Sequence, residues 1–60
     1  MLPGTRVHDG TRTGTVIKAP DGFYRPGALR PEWIVFVLWD DTYVWTPEDR
    51  RNLMAGEALL

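Results

Sequence analysis

The chain has 60 residues, seven Lys plus Arg against eight Asp plus Glu, a formal charge of −1 and no cysteine. The missing cysteines exclude disulfide staples, thiol chemistry and cysteine-bound zinc, and the balanced charge gives no overall field to draw in nucleic acid or an anionic membrane. A chain this short hides only about 60% of the surface its unfolded form exposes, so it builds one small domain with a thin core.

The whole chain, residues 1–60, reads as that single domain, with its core over 3–53 and a C-terminal tail over 54–60. Pro3-Gly4 opens it as a turn, and Thr5-Arg6-Val7-His8 alternates polar and apolar as a short first strand. Asp9-Gly10 is a strong turn dipeptide. Thr15 to Ala19 is β-branched and predicts a second strand. Pro20-Asp21-Gly22 turns the chain again, and Phe23 to Glu32 holds Pro26-Gly27 and Pro31. Prolines remove ladder donors, so that stretch predicts a long loop. Trp33 to Trp39 is the strongest strand. Asp40-Asp41 turns it, and Thr42 to Trp45 predicts strand four. Thr46-Pro47-Glu48-Asp49 has a capping threonine, a proline at the first helical position and acids near a positive dipole end, which together predict one 3₁₀ turn. Arg51 to Leu53 predicts a short fifth strand, and Met54 to Leu60 a weakly helical tail broken by Gly56.

No membrane partner is expected: the apolar run Trp33 to Trp39 is seven residues long, against roughly 20 for a spanning helix. Met1-Leu2-Pro3-Gly4 lacks the charged and apolar pattern of a leader, so the expected location is cytoplasmic.

Side chains alternate across a strand, so Trp33, Val35, Val37 and Trp39 share one face, and Ile34, Phe36 and Leu38 the other. Val7, Val16 and Val44 join one of these faces as the core. The opposite face is apolar too and needs a cover. The candidates are the loop through Phe23, Tyr24 and Leu29, the tail through Leu59 and Leu60, or a second copy of the chain.

The string PGTRV…GTVIK…WIVFVLWDDTYVWTPEDRRNL resembles the small SH3-like barrels of the KOW, Tudor and chromo-like type. Those run through a Pro-Gly entry, a Gly-x-Val second strand, a Val-x-Trp-Asp-Asp-Gly hairpin and a Pro-Glu-Asp-Leu turn before the last strand. The resemblance covers Pro3 to Leu53 and implies an all-β, five-stranded SH3-like small barrel with one 3₁₀ turn. Thr42 stands where that hairpin has glycine, and Arg50 where the pattern has an apolar residue.

Fold alone does not assign function. Tyr43 and Trp45 share a face of the predicted strand four opposite Val44, so an inward Val44 turns both rings outward. With Trp33, Phe36 and Trp39 they form the candidate protein-interaction face of a non-catalytic, self-associating module. The Tudor resemblance adds a narrower expectation, a methyl-cation cage built from Trp39, Tyr43, Asp40 and Asp41. Arg6, Arg12, Arg50 and Arg51 are candidate nucleic-acid contacts, as the KOW resemblance implies, because arginine binds phosphate bidentately. The competing expectation is surface ion pairs such as Arg51 with Glu48. Asp40-Asp41 and Glu48-Asp49 lack calcium-loop spacing, so no metal or cofactor is expected. His8 is the only histidine and the chain has no serine, which leaves no nucleophilic triad to assemble. The plasmid-borne type II dihydrofolate reductases are similar in size and layout and work as homotetramers with a shared pore. Their Val-Gln-Ile-Tyr motif before a proline corresponds here to Tyr43-Val44-Trp45-Thr46, so no catalytic residue carries over.

Overall fold

The computed structural model describes residues 1–20 and 33–57. The expected loop cover through Phe23, Tyr24 and Leu29, and the tail cover through Leu59 and Leu60, lie outside the described residues. The fold is all-β. Five strands, β1 (Arg6–His8), β2 (Thr13–Ile17), β3 (Ile34–Trp39), β4 (Trp45–Asp49) and β5 (Met54–Ala55), form one antiparallel sheet in the order β4-β3-β2-β1-β5. A 3₁₀ turn, Arg50–Asn52, joins β4 to β5. Among the described residues β4 and β5 do not pair with each other, so the sheet is open where a closed barrel was expected.

Local chemistry sets the entry. Thr5 N donates to Leu2 O at 3.1 Å across Pro3-Gly4, and Gly4 takes φ +94. That is a type II turn, in which proline presets the first central residue and glycine alone accepts positive φ at the second without steric cost. Gly4 N then donates to Val16 O at 2.7 Å and Val16 N to Thr5 O at 2.9 Å, which ties the entry to β2 before β1 begins.

Alternation along β3 separates two apolar layers, as the sequence predicts. Val35, Val37 and Trp39 join Val7, Val16 and Leu53 in the buried cluster. Each buried Val or Leu contributes roughly 1.5–3 kcal/mol of transfer free energy. Phe36 lies on the other face and is also buried, at 2% exposure. The Trp45 ring meets it edge-on, with centroids 5.8 Å apart and planes at 70°. Two expectations for the core fail. Trp33 precedes β3 rather than continuing its inner face, and Val44 is 56% exposed. Leu53, just past the 3₁₀ turn, fills the core position expected of Val44.

Strand four is displaced. Thr46 to Asp49 is extended and pairs with β3, with Pro47 opposite Phe36. The capping signals at Thr46 and Pro47 were therefore misleading, and the 3₁₀ turn starts three residues later with Asp49 as its cap, whose carboxylate accepts from Arg51 N at 2.9 Å. Proline is tolerated because β4 is an edge strand. A residue with no N–H sits at a non-hydrogen-bonded position of the ladder, so its nitrogen faces away from β3. The last strand is Met54–Ala55, paired with His8 and Val7 of β1, not Arg51 to Leu53, and the start of the expected helical tail is extended.

Gly14 is buried where β2 crosses β3. A Cβ there would sit 2.5 Å from Val37 Cγ1 and 2.7 Å from the Leu38 carbonyl oxygen. The second neighbour is backbone and cannot swing away. Gly14→Ala is therefore expected to cost about 1–3 kcal/mol through overpacking, measured as a lowered midpoint in chemical unfolding. An unchanged midpoint contradicts the close β2–β3 approach.

Candidate interaction surface

The β3–β4 turn is built from Asp40 to Val44. Trp39 O accepts from Tyr43 N at 2.9 Å, and Trp39 N donates to Val44 O at 3.2 Å. This loop is longer than the two-residue Asp40-Asp41 turn expected, and the extra residues displace β4. The left-handed residue the hairpin needs is Tyr43, at φ +55, and not Thr42. Thr42 instead uses its hydroxyl, accepting from Val44 N at 3.4 Å and from Arg12 Nη2 at 3.3 Å.

Two arginines from the first hairpin clamp this turn. Arg6 reaches across the sheet to Asp40 Oδ1 at 2.9 Å, to Thr15 Oγ1 at 2.7 Å and to Glu57 at 3.3 Å. Arg12 takes Asp41 through Nη2 at 3.1 Å and Nε at 3.2 Å. Asp40 N also donates to Thr13 O at 3.0 Å. Exposed pairs of this kind contribute under about 1 kcal/mol each, so their effect is positional: the turn is tied to the β1–β2 hairpin from two sides.

The candidate aromatics divide. Trp39 is 1% exposed. Its indole N–H donates to Thr46 Oγ1 at 2.7 Å, and that hydroxyl donates to Glu48 at 2.7 Å. The Arg12 guanidinium lies 4.4 Å from the Trp39 ring centroid. The chain's own cation thus sits on the Trp39 ring, and with Trp39 buried the expected methyl-cation cage of Trp39, Tyr43, Asp40 and Asp41 is not assembled. Phe36 is buried as well, at 2% exposure. Trp33 is half-buried, with Arg51 stacked 4.0 Å from its ring. Tyr43 and Trp45 are exposed at 83% and 39%. Sequence reasoning missed Val44, which lies between them on the surface. The missing glycine at Thr42 was the available signal that the turn is longer than two residues.

The candidate nucleic-acid arginines are mostly committed to carboxylates. Arg6 and Arg12 hold the turn, and Arg51 binds Asp49 through Nε at 3.0 Å and Nη2 at 2.6 Å; Asp49 replaces Glu48 as the expected partner. Among the described residues Arg50 makes no ion pair. His8 Nδ1 accepts from Gly10 N at 3.2 Å. The described residues contain no cluster of metal-type ligands and no helix long and apolar enough to cross a membrane.

Hydrogen bonding to the ionised form depresses three carboxyls. Backbone N–H groups of Arg12 and Thr11 hold Asp9 at about 2, the Arg51 guanidinium and then its backbone N–H hold Asp49 at about 2, and the Arg6 guanidinium lowers Asp40. A depressed native value means the stabilisation is complete above the unfolded value near 3.8 and is lost as pH falls toward the native value. The melting temperature is therefore expected to hold from neutral pH to about 4 and to fall between about 4 and 2. Asp9→Asn should flatten that fall in a calorimetric pH series; an identical fall in the variant rejects the assignment. Comparison with protein-family models, curated proteins and solved structures finds no match for this chain.

Proposed function

We propose that this protein is a non-catalytic, self-associating interaction module of the SH3-like small-barrel type, cytoplasmic and without cofactor, that docks through Tyr43-Val44-Trp45. The strand order, with β1 between β2 and β5, agrees with the SH3-like layout. One observation carries the functional reading. Three consecutive large apolar residues are exposed at 83%, 56% and 39% on the turn leading into an edge strand, and the first of them is a tyrosine at φ +55.

A non-glycine residue in the left-handed region costs roughly 1–2 kcal/mol. A bulky side chain there is an outlier that asks for a reason. The Tyr43 ring returns little of that cost inside the chain, because it is almost fully in water. Contact with another molecule does return it: burying a tyrosine or tryptophan removes roughly 150–250 Å² from water. The Arg6 and Arg12 clamps hold the turn in place before contact, which lowers the ordering cost of binding. The pairing of Arg6, Arg12 and Arg51 with acids weighs against a phosphate-binding role for the same residues.

Tyr43→Gly separates the two effects. Relief of strain, offset by glycine's greater chain entropy of roughly 0.5–1 kcal/mol, should leave the fold as stable or up to about 1 kcal/mol more stable. Self-association in sedimentation velocity should weaken at least about tenfold, the equivalent of roughly 1.4 kcal/mol. Trp45→Ala should weaken it as well. Association unchanged in both variants rejects the surface.

A further inference from the structure

The Tyr43 ring and an open pocket with mixed polar and apolar walls lie at opposite ends of β3. Gly14 pairs with Trp39 at the turn end, and Ile17 pairs with Phe36 toward the other. Beyond that second pair a pocket of about 190 Å³ opens among Met1, Pro3, Ile17, Ala19, Ile34 and Phe36, with the exposed Lys18 also lining it. A volume of roughly 150 Å³ is enough for one benzene molecule, so by volume alone this open pocket has room for a single aromatic ring of phenol size, whose hydroxyl can meet its polar wall. The turn end presents such a ring, on a backbone that holds it out into solvent.

Charge divides along the same axis. The turn end carries Asp9, Asp40, Asp41 and Glu57 against Arg6 and Arg12, an excess of acid. At the pocket end, where Ile34 pairs with Asp49, the described residues place Lys18, Arg50 and Arg51 against Glu48 and Asp49, an excess of base among the described residues. Lys18 and Arg50 make no ion pair among the described residues.

We propose that copies of this chain associate head to tail, with the Tyr43 ring of one copy seated in the Ile17–Ile34 pocket of the next and the acidic turn end facing the basic pocket end. This rests on the self-association reading above and specifies its geometry. The contact is heterologous: each copy keeps a free ring at one end and a free pocket at the other, so the product is an open chain or a ring of copies and not a two-fold dimer. One ring and its surroundings bury far less than the roughly 1,200–2,000 Å² of a stable interface, so the assembly is weak, concentration-dependent and sensitive to salt.

Sedimentation equilibrium over a concentration series tests this with the full chain, Tyr43→Gly, Ala19→Arg, Lys18→Glu and an equimolar mixture of Tyr43→Gly with Ala19→Arg. The unaltered chain should grow past a dimer as concentration rises. Each single variant should associate at least about tenfold more weakly. The mixture should form a one-to-one pair and stop, because one member retains the pocket and the other the ring. Lys18 is exposed, so Lys18→Glu keeps the test intact if Ala19→Arg does not fold. Growth that ends at a dimer, a mixture that does not pair, or pocket variants that associate like the unaltered chain overturns the head-to-tail geometry and leaves self-association standing. An unaltered chain that stays monomeric throughout overturns both.

Discussion

Everything in this fold turns on one strand that is apolar on both sides. Val35, Val37 and Trp39 complete the inner cluster with Val7, Val16 and Leu53, while Phe36 is buried on the reverse face. A 60-residue chain has little surface to spare for hiding two faces. Its solution is economical in backbone: Gly14 lets β2 lie close against β3, and the Trp45 ring stands edge-on against Phe36. Trp45 thus packs edge-on against Phe36 and is also 39% exposed. That double role links the packing of the sheet to the surface that docks.

Polar interactions then fix what the apolar layers leave free. Arg6 and Arg12 each reach from the first hairpin to a different aspartate of the β3–β4 turn. Arg12 also lies on the buried indole of Trp39, whose N–H is satisfied through Thr46 and Glu48. The turn is thus held by Arg6 of β1, by Arg12 of the loop between β1 and β2, and by the Thr13 backbone carbonyl at the start of β2. Its one strained residue, Tyr43, sits at the centre of this support, the setting in which an unfavourable backbone conformation persists.

Much of this was legible in the sequence. Alternation marked β1 and β3 and sorted Val35, Val37 and Trp39 from Phe36, because strand alternation is a local property of the chain. β-Branched content marked β2 two residues late, at Thr15 to Ala19, where the strand runs over Thr13–Ile17 because Gly14 continues the ladder instead of breaking it. The registers that depended on turn length were not legible. Asp40-Asp41 suggested a tight turn, the structure uses a longer one, and everything after it moved: β4 onto Trp45–Asp49, the 3₁₀ turn onto Arg50–Asn52, and Val44 from the core to the surface. Thr46-Pro47 carries the same residues as a helix start, and only the pairing with β3, a non-local fact, decides against that. Of the candidate site, Tyr43 and Trp45 were expected outward because Val44 was expected inward. All three are exposed, so that alternation does not account for the exposure of the rings, which comes from the longer turn. The burial of Trp39 beneath Arg12 did not, since it depends on an arginine 27 positions away in sequence.

The outward-facing nitrogen of Pro47 has a further consequence for how this protein fails. Amyloid growth recruits chains by continuous amide-to-carbonyl bonding along an open margin, and β4 interrupts that template midway. The opposite margin, Met54–Ala55, is two residues long, too short to seed a ladder. Among the described residues, neither margin of the intact sheet therefore offers an uninterrupted row of amides and carbonyls for another chain to extend.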